Sequence, residues 1–119
     1  MREVYRLHSS RYPVTSGIGE STYGGRWNPT VIEVIYASDS PSLSLLEFLV
    51  HYDQLPDELV LTLILIPDRL TILVAPALVT GWDSPIGKAA TQEFGRAWAA
   101  SLSSAVLKVP SAVVPRDRN

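Results

Sequence analysis

The apolar positions of the chain change period several times, and each change marks an element. Residues 3–7 (EVYRL) alternate apolar and polar, which predicts a short strand. From Ser9 to Asn28 no period survives among Ser, Gly, Thr and Tyr, so this stretch reads as a long loop. Residues 31–37 (VIEVIYA) are β-branched and aromatic, which predicts a second strand. Ser40 and Pro41 then give a helix start, with Ser40 as N-cap and Pro41 at the first helical position. Leu45, Leu46, Leu49 and Val50 keep helical spacing through about Tyr52. A polar connector, Asp53 to Glu58, contains Pro56. Residues 59–66 (LVLTLILI) are continuously apolar apart from Thr62 and read as a buried strand.

Pro67-Asp68-Arg69 reads as a turn, and Leu70–Val74 as a further strand. A second turn, Gly81-Trp82-Asp83-Ser84-Pro85, precedes a helix over Ile86–Ser101. Ala89, Ala90, Phe94, Ala97 and Trp98 line one side of it. Gly87 and Gly95 weaken that helix, and Gly95 leaves room for another element to approach closely. Residues 105–109 predict a strand that Pro110-Ser111 interrupts and Ala112–Val114 resumes. Residues from Pro115 to Asn119 are polar and read as frayed. Strands and helices are mixed without strict alternation, so the fold class is α+β and a doubly wound parallel sheet is disfavoured.

Composition narrows the chemistry. The 119 residues suit one domain, and 46% of them are apolar, enough for a core. No cysteine is present, so disulfides, thiolate nucleophiles and cysteine-based zinc sites are excluded. A net charge of −2 gives no support for broad electrostatic binding of nucleic acid. The N-terminal MREVYRLHSSRYP lacks the apolar core of a signal peptide, and no apolar run approaches the roughly 20 residues of a membrane span. A cytoplasmic location is expected.

Gly24-Gly25-Arg26-Trp27-Asn28 combines backbone freedom, a guanidinium fork suited to phosphate, a stacking ring and an amide. It fits either a binding loop or a tight turn with a half-buried Trp27. Arg6 and Arg11 are further basic candidates; Arg6 and Arg26 would make an anion-binding pair if they met. Glu47 sits in an apolar helical segment, where it points to solvent or is held in a site. Ser44-x-x-Glu47 has the form of a capping box, but Ser40-Pro41 is the better helix start. Tyr36 reads as a core aromatic or as a ring against a planar ligand. Ser111 reads as an edge residue or as a partner for a ligand hydroxyl or phosphate. His8 and His51 lack metal-ligand spacing, and His51 suits a helix end. No P-loop, GxGxxG or Ser-His-Asp signature occurs.

Taken in order, these segments resemble the RES-domain family of bacterial toxins. The resemblance rests on Tyr5-Arg6, Gly24-Gly25-Arg26-Trp27-Asn28, Tyr36-Ala37-Ser38, Leu46-Glu47, Val109-Pro110-Ser111 and Val114-Pro115. The Arg, Glu and Ser of the family name map to Arg26, Glu47 and Ser111. The resemblance implies one ADP-ribosyltransferase-like domain over 1–119, with two small mixed or antiparallel sheets packed at an angle and flanked by helices. It implies cleavage of NAD⁺ as substrate, by water or by phosphate, with no metal and no resident cofactor. Glu47, Arg26 and Tyr36 would be catalytic; Arg6, Arg26, Trp27, Tyr36 and Ser111 would bind NAD⁺. The implied partner is an Xre-class helix-turn-helix antitoxin, with homodimers also known in the family. An ADP-ribosyltransferase acting on a protein, or an inactive domain that binds nucleotide or antitoxin, are the alternatives. Family members run on from the VPS segment into an Asn-Pro-x-His-Pro-like tail, where this chain reaches Asn119, so the tail is expected to be short or absent. Pro29-Thr30 stands where a glycine is common.

Overall fold

A computed structural model describes residues 1–50, 57–76, 81–85 and 87–114. Its contacts divide the chain into two units. The first unit comprises Met1–Thr15, Tyr36–Leu70 and Val109–Asn119; the second comprises Ser16–Ile35 and Thr71–Lys108.

In the first unit, strand β1 (Arg2–Ser9) pairs antiparallel with β2 (Leu59–Ile66), from Arg2 opposite Ile66 to Ser9 opposite Leu59. The other edge of β1 meets Ser38, which exchanges two backbone hydrogen bonds with Tyr5 at 2.7 and 2.8 Å. Helix α2 (Pro41–Leu49) starts where the sequence predicts. The Ser40 hydroxyl accepts from the Leu43 N–H at 3.1 Å, and Pro41 occupies the first turn, where its missing N–H costs nothing. Leu43 is fully buried under this helix. The helix ends at Leu49; residues 51–56, which include His51 and all of the expected connector except Asp57 and Glu58, lie outside the described residues.

β2 has the predicted bounds but is not buried on both faces. Leu61, Leu63 and Leu65 are nearly half exposed, while Thr62, Ile64 and Ile66 on the opposite face are more covered. A strand alternates its side chains, and this two-stranded sheet covers one face more than the other.

In the second unit, β3 (Ile72–Val74) and β4 (Val106–Lys108) pair in parallel, with helix α3 (Lys88–Ser101) as the crossover between them. α3 begins after Gly87 without a side-chain cap and ends at Leu102, whose φ of 53° is left-handed. Three further expectations fail. The segment read as an unbroken loop, Ser9 to Asn28, contains helix α1 (Ile18–Tyr23). The Glu33 carboxylate accepts from the Gly17 N–H at 2.9 Å, just before its first residue. The segment 31–37 is not a strand. Val31 has a φ of 69°, unusual for a β-branched residue, and its N–H donates to the Ser21 carbonyl. The Ile32 carbonyl is taken by the Asn28 amide at 3.0 Å. Backbone groups that a ladder needs are thus spent elsewhere. Ala112–Val114 likewise bends instead of resuming a strand.

The architecture is α+β, and the described residues form helices and two small sheets, one antiparallel and one parallel. Among the described residues no helix is long and apolar enough to cross a membrane.

Candidate functional site

Each unit assembles part of the chemistry. In the first, Arg6 lies mid-strand in β1, opposite Thr62, and is 8% exposed. Its Nη1 atom is buried with no hydrogen bond among the described residues, although the side chain as a whole has a partner. Beside it, the Tyr5 carbonyl accepts from Ser38 N–H and from the Ser44 hydroxyl at 2.9 Å. Ser44 therefore pins α2 to β1, and does not close a capping box with Glu47. Glu47 stands three residues further on, so it shares the β1 side of the helix.

The Glu47 carboxylate accepts a 2.6 Å hydrogen bond from the Ser111 hydroxyl. That hydroxyl also accepts from Val113 N–H at 3.1 Å and from Val114 N–H at 3.0 Å. A hydroxyl has one proton and two lone pairs, and here all three are engaged by protein. Ser111 is fully buried, directly after Pro110 in the chain. A short bond from hydroxyl to carboxylate in such a place fixes the carboxylate's rotamer. Tyr36 is half-buried, two residues before the Ser38 bridge.

Three other polar residues of this unit make contacts within the protein. His8 pairs its Nε2 with the Thr62 hydroxyl at 2.7 Å and its Nδ1 lies 3.0 Å from the Ser9 carbonyl. Arg11 forms an exposed ion pair with Glu58. The Tyr5 phenol donates to Glu3, and that bond to a carboxylate raises its pKa.

In the second unit, the GGRWN run is a clamped turn. Gly24 takes a φ of 76°, and Gly25 N–H donates to the Asn28 carbonyl at 2.9 Å. Helix α3 grips the turn from one side: Thr91 donates to the Arg26 carbonyl at 2.5 Å, and Gln92 to the Gly25 carbonyl at 2.8 Å. Gly95 meets the Trp27 carbonyl so closely that any Cβ there would collide with it. This is the close approach that the glycine predicts. Trp27 is 6% exposed, tilted against Trp82 and edge-on to Phe94. Asn28 is fully buried, its amide donating to Pro29 and Ile32 carbonyls. Arg26 is half-buried, and its Nη1 donates to the carbonyls of Trp82 (3.0 Å) and Ser84 (2.8 Å).

The structure thus joins Glu47 to Ser111 in one unit, which also holds Arg6 and Tyr36, and places Arg26 and Trp27 in the other. Sequence reasoning missed Ser44, Ser84, Thr91 and Gln92. The only signal for Ser44 was its three-residue spacing from Glu47; Ser84 was marked only as part of a turn. Among the described residues no three His, Asp or Glu side chains gather as a metal site would require.

Comparison with known proteins agrees with the pattern. A family model described as the RES domain matches residues 3–119. A protein named Toxin Res from Photorhabdus laumondii is 38% identical over 121 residues, covering 98% of this chain and 78% of that protein. A Toxin Res from Yersinia enterocolitica is 39% identical, covering 98% and 80%. A protein named Prs ADP-ribosylating toxin from Sphingobium sp. is 36% identical over 110 residues, covering 87% and 68%.

Proposed function

This chain belongs to the RES-domain family, and from that premise we propose that it is a toxin that cleaves NAD⁺ at the bond between nicotinamide and ribose. The observation that carries the reading is the Glu47 carboxylate held by the buried Ser111 hydroxyl. Cleavage breaks the ribose C1′–N bond. The electron pair leaves with nicotinamide, and the ribose becomes oxocarbenium-like, as in glycoside cleavage. A fixed carboxylate stabilises that positive charge without reorganising as it develops. Nicotinamide leaves as a neutral molecule, so no strong general acid is needed. Water or inorganic phosphate then adds to C1′. Water gives ADP-ribose and a proton; phosphate gives a phosphorylated ADP-ribose.

Arg26 and Arg6 are assigned to the pyrophosphate, through charge-assisted bonds. Tyr36 is assigned to the nicotinamide or its ribose. Ser111 acts on the substrate side through Glu47. The ADP-ribosyltransferase-like fold belongs to the same proposal, as does an Xre-class antitoxin partner.

Purified protein incubated with NAD⁺, with and without phosphate, tests the reading, with products resolved by mass. Nicotinamide plus ADP-ribose in both buffers means hydrolysis. A product heavier by phosphate, formed faster in phosphate, means phosphorolysis. NAD⁺ that persists in both overturns the reading. A second reading, transfer of ADP-ribose to a protein, is favoured by the printed name of the Sphingobium relative. It predicts a protein band that gains ADP-ribose while free ADP-ribose stays low.

A further inference from the structure

We propose that the turn Gly81–Pro85 is a positioning device for Arg26, and that Ser84 holds the turn in the shape that aims the guanidinium at a phosphate group. The two N–H donors of Arg26 Nη1 go to the carbonyls of Trp82 and Ser84, both in this turn. A guanidinium is planar and rigid, so tying one nitrogen to two acceptors fixes the orientation of the whole plane. Three donors remain, on Nε and Nη2, and among the described residues they make no hydrogen bond. Nε and Nη2 form the edge that binds phosphate or carboxylate in a bidentate manner. Arg26 is half-buried, so part of it stays accessible. Asp83, in the same turn, is exposed and forms no ion pair with Arg26 among the described residues.

Ser84 shapes the turn through its side chain as well as its carbonyl. Its hydroxyl donates to the Gly81 carbonyl at 2.6 Å and accepts from Gly87 N–H at 3.3 Å. Its own N–H donates to the same Gly81 carbonyl at 3.1 Å. Gly81 has a φ of 86°, which a residue with a Cβ adopts only under strain. The Trp82 ring lies 6.0 Å from that of Trp27, which follows Arg26 in the chain. Ser84 is a positioning residue, since it acts on Arg26 and not on the ligand.

The inference rests on the proposed activity only in taking the ligand to be the pyrophosphate of NAD⁺. Inorganic pyrophosphate is therefore the first probe, titrated by calorimetry and by the fluorescence of the tryptophans. Loss of a turn hydrogen bond worth about 1 kcal/mol predicts about fivefold weaker pyrophosphate binding in Ser84→Ala. The KM for NAD⁺ rises by a similar factor while kcat holds. Ser84→Thr keeps the hydroxyl and restores both. Arg26→Lys removes the fork and weakens pyrophosphate at least tenfold, roughly 1.4 kcal/mol. Parent-like affinity in Ser84→Ala overturns the proposal, as does a defect that Ser84→Thr fails to repair. If Ser84→Ala does not fold, Arg26→Lys decides, and parent-like binding there overturns the proposal. A parent that binds pyrophosphate through Arg26 but leaves NAD⁺ intact removes the proposed activity and keeps the positioning role. NAD⁺ cleavage with unchanged affinity in Ser84→Ala does the reverse.

Discussion

Ser111 donates its hydroxyl proton to Glu47 across 2.6 Å, although the two residues stand 64 positions apart in the chain. The bond is directional. Two backbone N–H groups occupy the acceptor side of the hydroxyl, so its proton is turned toward the carboxylate. Ser111→Ala removes the acceptor of both N–H groups and the donor to Glu47. A buried donor left without a partner costs about 1–3 kcal/mol, so the thermal midpoint should fall by several degrees. Hydrogen exchange at the Val113 and Val114 amides should quicken. Exchange as slow as in the parent would mean that these amides find another acceptor.

Glu47→Gln keeps the shape of the side chain and an oxygen for Ser111, but removes the negative charge. NAD⁺ turnover should fall about a hundredfold or more, while the melting temperature stays near that of the parent. In the Glu47→Gln background, Ser111→Ala should lower turnover little further, because one residue acts through the other. Independent, multiplying losses in the double variant would assign Ser111 a contact of its own with the substrate.

Gly95→Ala adds a single methyl group where the Trp27 carbonyl already lies against the helix. Backbone has to move to admit it, which should cost about 3 kcal/mol or more. Gly19→Ala is the matched control, because a Cβ there meets nothing within 4 Å. Equal melting temperatures for the two variants would refute close packing of α3 on the GGRWN turn.

Ser40→Ala removes the cap of the helix that carries Glu47. It should cost about 1 kcal/mol, and Leu43 N–H should lose protection because its acceptor is gone. Ser40→Asp should recover most of the loss, since a carboxylate caps equally well. A Ser40→Ala melt that matches the parent would show that the cap contributes nothing to α2.

Local signals in the sequence carried as far as local physics decides the outcome. Ser40-Pro41 names its own helix start, because cap and first-turn preferences act within four residues. The bounds of β2 were legible from its apolar run, but its exposure was not, since burial depends on what covers each face. The strand expected over 31–37 had the right residues. It lost its ladder to the Val31 backbone and to the Asn28 side chain, neither of which β-propensity measures. Arg26, Glu47 and Ser111 were marked by residue type and order. The bond between Glu47 and Ser111, and the hold of Trp82 and Ser84 on Arg26, arise from residues distant in sequence.

The first unit is also discontinuous, and this orders events in time. Its strands and Glu47 come from early segments, but Ser111 is translated only after all of Thr71–Lys108. A ribosome therefore releases the residues of the second unit while the Glu47 carboxylate still lacks the Ser111 hydroxyl. The Glu47–Ser111 pair closes only as synthesis passes Ser111, so a chain that stalls before that position carries the carboxylate without this hydrogen bond.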